Sequence, residues 1–171
     1  DMLTALRIEF GIKDGDFIIG SVGRVFDDCK RFSDLIRAMP AVLAQHPQAR
    51  LMIVGDGPDC SMLEKLCVTL GVGNSVIFAG YRSDVRTFYP LMDIFALASA
   101  YEAFGLVLVE AMFADVPIIA TEVGGIPFVL DSGRCGALIP PLAPLSLSRT
   151  LSDLIASPSL RAEYARLGLA R

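Results

Sequence analysis

Short apolar runs, each ending at a glycine or a small residue and each followed by a longer stretch of helical period, constrain this chain more than any other feature. The runs cover residues 17–22 before Gly23, 51–54 before Gly55, 76–79 before Gly80, 94–98 before Ser99 and 118–120 before Thr121. A shorter sixth covers 137–139. They are apolar at both alternating positions, so both faces of each strand need cover. A parallel sheet between two helical layers supplies it. The expected fold is therefore α/β: a parallel sheet of about six strands with helices on both faces.

The helical stretches carry their own punctuation. Phe32, Leu35, Ile36, Met39 and Leu43 recur at helical spacing, with Lys30, Asp34 and Arg37 on the wetter face. Pro40 predicts a kink in this helix, and His46 with Pro47 closes it. Met62, Leu63, Leu66 and Leu70 form the apolar side of a second helix that stops at Gly71. Further helical segments fit 85–89, 105–114, 145–156 and 160–167. No repeat or linker interrupts the series, so residues 1–171 read as one domain.

Composition excludes several function classes. With 53% hydrophobic and 20% charged residues the chain is not disordered, and its apolar excess suits a face that another domain covers. A net charge of −4 with scattered basic residues lacks the footprint of a nucleic-acid binder. The longest uncharged run, 66–81, is broken by Gly71, Gly73 and Asn74 and cannot form a membrane-spanning helix. Asp1, Arg7 and Glu9 stand where a leader peptide would be basic and then apolar, so none is expected. Cys29, Cys60, Cys67 and Cys135 form no C-x-x-C pair, and His46 is the one histidine. These cysteines read as free thiols of a reducing cytoplasm, and no metal site is expected.

Ligands of open parallel sheets bind beyond the carboxyl ends of the strands. There the sequence places Gly23-Arg24 with Lys30 and Arg31, then Gly55-Asp56-Gly57-Pro58, then Ser99 to Gly105, then Thr121-Glu122-Val123-Gly124-Gly125. Arg24 and Lys30 suit the two phosphates of a diphosphate, and backbone N–H groups at the helix start near Phe104 and Gly105 add donors. Glu102 precedes that helix and Glu110 lies within it, so both can border one pocket. A carboxylate is suited to accept hydrogen bonds from neighbouring ribose hydroxyls.

Gly23-Arg24 with Lys30, Val54 to Pro58, Ser99 to Leu106, Glu110-Ala111 and Gly124-Gly125-Ile126-Pro127 resemble the donor-domain motifs of family-four, retaining, GT-B-fold glycosyltransferases. The likeness spans nearly the whole chain. Its most specific part is the glutamate pair Glu102 and Glu110 with Phe104-Gly105 between them. The resemblance implies a Rossmann-like domain, one half of a GT-B fold, whose N-terminal acceptor-binding partner lies outside this chain. The chain by itself is then expected to be inactive.

Catalytic duty falls by that resemblance on Glu102, beside the transferred sugar, and on Arg24 and Lys30, which neutralise the diphosphate. Glu110 would bind the donor ribose. Gly23, Gly55, Gly80, Phe104, Gly105, Leu106, Gly124 and Gly125 complete the donor site, with Tyr81 and Arg82 as walls for the base. The substrate is a nucleotide sugar, with a UDP-sugar taken ahead of GDP and ADP donors, and no cofactor or metal is implied. A glycan or lipid-linked acceptor, a cytoplasmic setting and peripheral membrane association through the missing half complete the expectation. One departure from the family pattern is Arg31, which stands where the lysine is usually followed by glycine.

Plainer readings stand beside these. Arg24 and Lys30 could form surface ion pairs with Asp27 or Asp28. Gly124-Gly125 could make a turn before a short helix near Pro127. Gly55-Asp56-Gly57 lacks the third glycine of a dinucleotide fingerprint, so an NAD-dependent oxidoreductase ranks last. Asp14-Gly15-Asp16 precedes the first strand and reads as a turn rather than a metal motif. A GT-B-like sugar-nucleotide epimerase and a non-catalytic nucleotide-binding or docking domain remain alternatives.

Overall fold

A computed structural model describes all of residues 1–171. The apolar runs form β1 (Phe17–Val22), β2 (Ala49–Val54), β3 (Val76–Gly80), β4 (Ile94–Leu97), β5 (Ile118–Thr121) and β6 (Ala137–Ile139). Every pairing is parallel, and the sheet order is β3-β2-β1-β4-β5-β6. Strand order reverses between β1 and β4, and that switch point opens a crevice at the carboxyl edge.

The helices are α1 (Met2–Glu9), α2 (Asp27–Lys30), α3 (Phe32–Gln45), α4 (Cys60–Thr69), α5 (Leu106–Phe113), α6 (Ile126–Val129), α7 (Pro144–Ala156) and α8 (Pro158–Ala170). Side chains of α3, α4 and α7 pack with Ile19, Leu51 and Ile53 on one face of the sheet. Those of α1, α5 and α6 pack with Ile18, Met52 and Phe95 on the other. Adjacent strand residues thus feed opposite layers, which is why both alternating positions are mainly apolar.

Local chemistry sets the element ends. Past α4, Gly71 adopts φ 69°, letting its N–H reach Val68 O at 3.1 Å and the Val72 N–H reach Cys67 O at 3.0 Å. A left-handed residue after the last turn closes the helix this way at little cost only when it is glycine. Asp27 Oδ1 accepts the Ser33 N–H at 2.7 Å, so a buried carboxylate at the start of α2 caps α3.

The structure corrects the reading of α3. Asp34 does not lie on the wet face: it is 4% exposed and pairs with Arg31 at 3.0 Å and Arg37 at 3.5 Å. The helix runs through Pro40 to Gln45. Residues 85–89 form two separate 3-10 turns, 85–87 and 89–91, rather than one helix. The sequence reading missed α1 and α2; Asp1, accepting the Thr4 N–H at 2.8 Å, is the cap that signals α1. Asp14 and Gly15 sit in the turn before β1, at the amino edge of the sheet.

Candidate functional site

Four loops at the carboxyl edge lock together through close backbone approaches. A Cβ on Gly55 would fall 1.9 Å from Gly23 O, and one on Gly57 would fall 2.2 Å from Val25 O. Glycine is therefore required where the β2 loop passes the β1 loop, and Val25 N–H donates to Asp56 O at 2.9 Å to seal the contact. The β4 loop joins by Ala100 N–H donating to Cys29 O at 2.8 Å. The β5 loop follows: Thr121 Oγ1 donates to Ser99 O at 2.6 Å, and Gly125 N–H to Glu102 O at 3.3 Å.

Within this frame Lys30 Nζ donates to Glu102 Oε2 at 2.5 Å, and both side chains are largely buried. Ser99, fully buried, places its hydroxyl 3.4 Å from the same oxygen. Lys30 is therefore not paired with Asp27 or Asp28. Asp27 instead meets Arg31 at 3.9 Å, and Arg24 is exposed with no carboxylate partner.

Glu110 lies one turn into α5 and accepts a 2.7 Å hydrogen bond from the hydroxyl of Tyr89, which is 1% exposed. Burial pushes the Tyr89 phenol up from its ordinary range, and the bond to Glu110 adds to the shift, so the group stays a donor. Glu110, Arg86, Tyr89, Leu106 and Val109 line a hollow of about 630 Å³, a size that suits a small-molecule ligand. Gly23, Arg24, Gly55, Tyr81, Arg82 and Val85 line an adjoining hollow of about 410 Å³. Val85 lines this hollow and the next residue, Arg86, lines the larger one. Glu102 lines neither hollow, so the two glutamates do not share one cavity.

Gly105 begins α5 with φ 86°, and no side chain caps the helix. Its first N–H groups are left without helical partners and carry the positive end of the dipole. Phe104 and Leu106 are exposed, and Leu106 lines the larger hollow. A Cβ on Gly124 would fall 1.7 Å from Glu102 O, so this glycine is needed for loop packing. Gly80, at φ 69°, ends β3 and aims Tyr81 into solvent.

Arg82 has a fuller set of partners than a free pocket wall. It pairs with Glu9 at 2.7 Å and Asp84 at 3.0 Å and lies 4.9 Å from the Phe88 ring centroid. Its guanidinium ties α1 to the loop after β3. Sequence reasoning placed Ser99 and Thr121 in the edge segments without giving them a role, and it missed Arg86 and Tyr89 as members of the site. For Tyr89 the available signal is that a buried phenol requires a hydrogen-bond partner. No helix of the protein is long and apolar enough to cross a membrane.

Comparison with known proteins gives this site a context. The chain is 36% identical over 136 residues to the N-acetyl-alpha-D-glucosaminyl L-malate synthase of Bacillus anthracis, matching 80% of this chain and 35% of that enzyme. It thus spans about a third of that relative's length. The crystal structure of Anabaena HepE in complex with UDP and glucose superposes with a TM-score of 0.88 at 28% identity, covering 99% of this chain and 46% of that one. The C-terminal domain of a group 1 glycosyl transferase from Francisella tularensis, LpcC, covers 96% of this chain and 89% of its own, with a TM-score of 0.83 at 26% identity. The three-layer domain with its six-stranded parallel sheet is the Rossmann-like fold of these GT-B glycosyltransferases. The family model of the glycosyl transferases, group 1, matches residues 4–169, and the chain belongs to that family.

Proposed function

We propose that this chain is the donor-binding half of a retaining glycosyltransferase that moves a hexosyl group from a UDP-sugar to a glycan or lipid-linked acceptor. The acceptor is held mainly by the part of the enzyme that its longer relatives carry beyond this domain. One observation carries the reading: at the carboxyl edge Lys30 meets Glu102, Arg24 and Glu110 each line a hollow, and neither Arg24 nor Glu110 is engaged in an ion pair. HepE, which this chain resembles at 28% identity, crystallises in complex with UDP and with UDP-glucose, which supports the choice of nucleotide.

In this reading the diphosphate lies between Arg24 and the open N–H groups of α5. These preorganised donors offset the charge that develops as UDP departs, so the charge is compensated without a metal ion. The base enters the hollow beside Tyr81 and the ribose reaches Glu110. Glu102, held in place by Lys30, accepts hydrogen bonds from hydroxyls of the transferred sugar.

Calorimetric titration with UDP, GDP and ADP, with and without magnesium, tests this directly. UDP is expected to bind best and equally well in both buffers. Glu110→Ala and Arg24→Ala are each expected to weaken UDP binding roughly tenfold or more, since each removes a charged hydrogen-bond partner. Wild-type affinity in both variants, with circular dichroism unchanged, would discard the assignment. Retention is checked by NMR of the product's anomeric proton with the longer enzyme.

A further inference from the structure

We infer that Tyr89 is a positioning residue for the donor nucleotide: its hydroxyl holds the Glu110 carboxylate in the orientation that receives the two ribose hydroxyls. The inference rests on the reading of Glu110 given above and extends it to a residue outside the family motifs quoted for this chain.

Tyr89 cannot move far. Its ring is buried against Phe95, with centroids 5.7 Å apart, and its neighbour Phe88 is fully buried. Tyr89 also begins the 3-10 turn Tyr89–Leu91, in which its carbonyl accepts the Met92 N–H at 2.9 Å. The phenol oxygen is thereby fixed at the wall of the Glu110 hollow. Glu110, by contrast, is half-buried on α5, forms no ion pair and accepts no other side-chain hydrogen bond. Without the phenol its flexible side chain would be free to sample other rotamers, and ordering it on binding would cost affinity.

The partner itself is informative. A tyrosine that merely needed its hydroxyl satisfied in the core could use a backbone carbonyl. Tyr89 instead donates to one oxygen of a carboxylate that lines an open hollow. Each carboxylate oxygen accepts more than one hydrogen bond. With Oε2 held by the phenol, Oε1 and the second lone pair of Oε2 are set for adjacent hydroxyls. Because burial holds the phenol protonated, it donates across the whole working pH range.

The test is a calorimetric comparison of UDP with 2′,3′-dideoxy-UDP, which lacks both ribose hydroxyls. Tyr89→Phe keeps the ring and removes only the donor. It is expected to raise the Kd for UDP roughly fivefold, the cost of ordering one freed side chain, and to leave the Kd for the dideoxy nucleotide unchanged. In a Glu110→Ala background, Tyr89→Phe is expected to have no further effect on either nucleotide. Equal weakening of both nucleotides by Tyr89→Phe would mean that the residue only packs, and would overturn the inference. Unchanged UDP binding in Tyr89→Phe, with Glu110→Ala still impaired, would overturn the inference alone. If Glu110→Ala weakens both nucleotides equally, or neither, the ribose reading fails and the inference falls with it.

Discussion

Arg31 occupies the left-handed region, at φ 52° and ψ 41°, between α2 and α3. A residue with a Cβ pays roughly 1–2 kcal/mol there relative to glycine. Arg31 thus takes a conformation that a glycine would adopt without strain, and side-chain contacts hold it there. Arg31 reaches Asp34 through Nε and Nη2 at 3.1 and 3.0 Å, and Asp27 lies 3.9 Å away. Arg31→Ala loses these contacts and keeps the strain, whereas Arg31→Gly loses them and sheds it. Arg31→Gly is thus expected to be more stable than Arg31→Ala by about 1 kcal/mol in urea unfolding. Equal stabilities would show that the strain is not real. At this scale the motif glutamates and the glycine-arginine pair could be singled out from sequence alone, because type and spacing identify them. The Lys30–Glu102 pair and the Tyr89–Glu110 bond could not, because each joins residues that meet only through the fold.

Strands and loops differ in how much of them a sequence displays. β6 was legible to the residue because a strand covered on both sides needs only a continuous apolar run. β2 begins two residues before its expected start: Ala49 is buried, and Arg50, still on the strand, reaches Asp16 at 3.3 Å and Gly11 O at 2.7 Å. The short α2 was not legible, since four residues give no period to read. Loops show their glycines but not why they are there. Gly124, a ligand-facing residue in the sequence reading, has a packing reason as well, because the β5 loop must approach the Glu102 carbonyl. Gly124→Ala is expected to destabilise the fold by about 1–3 kcal/mol in urea unfolding and to weaken UDP binding with it. A variant with unchanged stability and unchanged titration would show that the two loops need no such contact.

Taken whole, the molecule carries a reporter on each face of its sheet. Cys67 packs in the layer with α3, and Cys135 in the layer with α5. Burial pushes the Cys67 thiol up to about 11 and raises that of Cys135, so neither forms thiolate readily in the native state. If residues 1–171 unfold as one cooperative domain, iodoacetamide should label both at the same urea midpoint, followed by mass spectrometry. Separate midpoints would mean that the two layers open independently. An apolar surface of Phe113, Phe128 and Leu169 beside α5, α6 and α8 matches the apolar excess of the composition. By itself the sequence determined the layered α/β architecture and the roster of groups at the carboxyl edge, because covered strands, helical period and turn chemistry are encoded locally. Only the tertiary structure decided which of those groups touch. Arg82 meets Glu9, Lys30 meets Glu102 and Tyr89 meets Glu110 because parallel crossovers bring distant segments to one crevice, and no local pattern encodes a side-chain distance across that span.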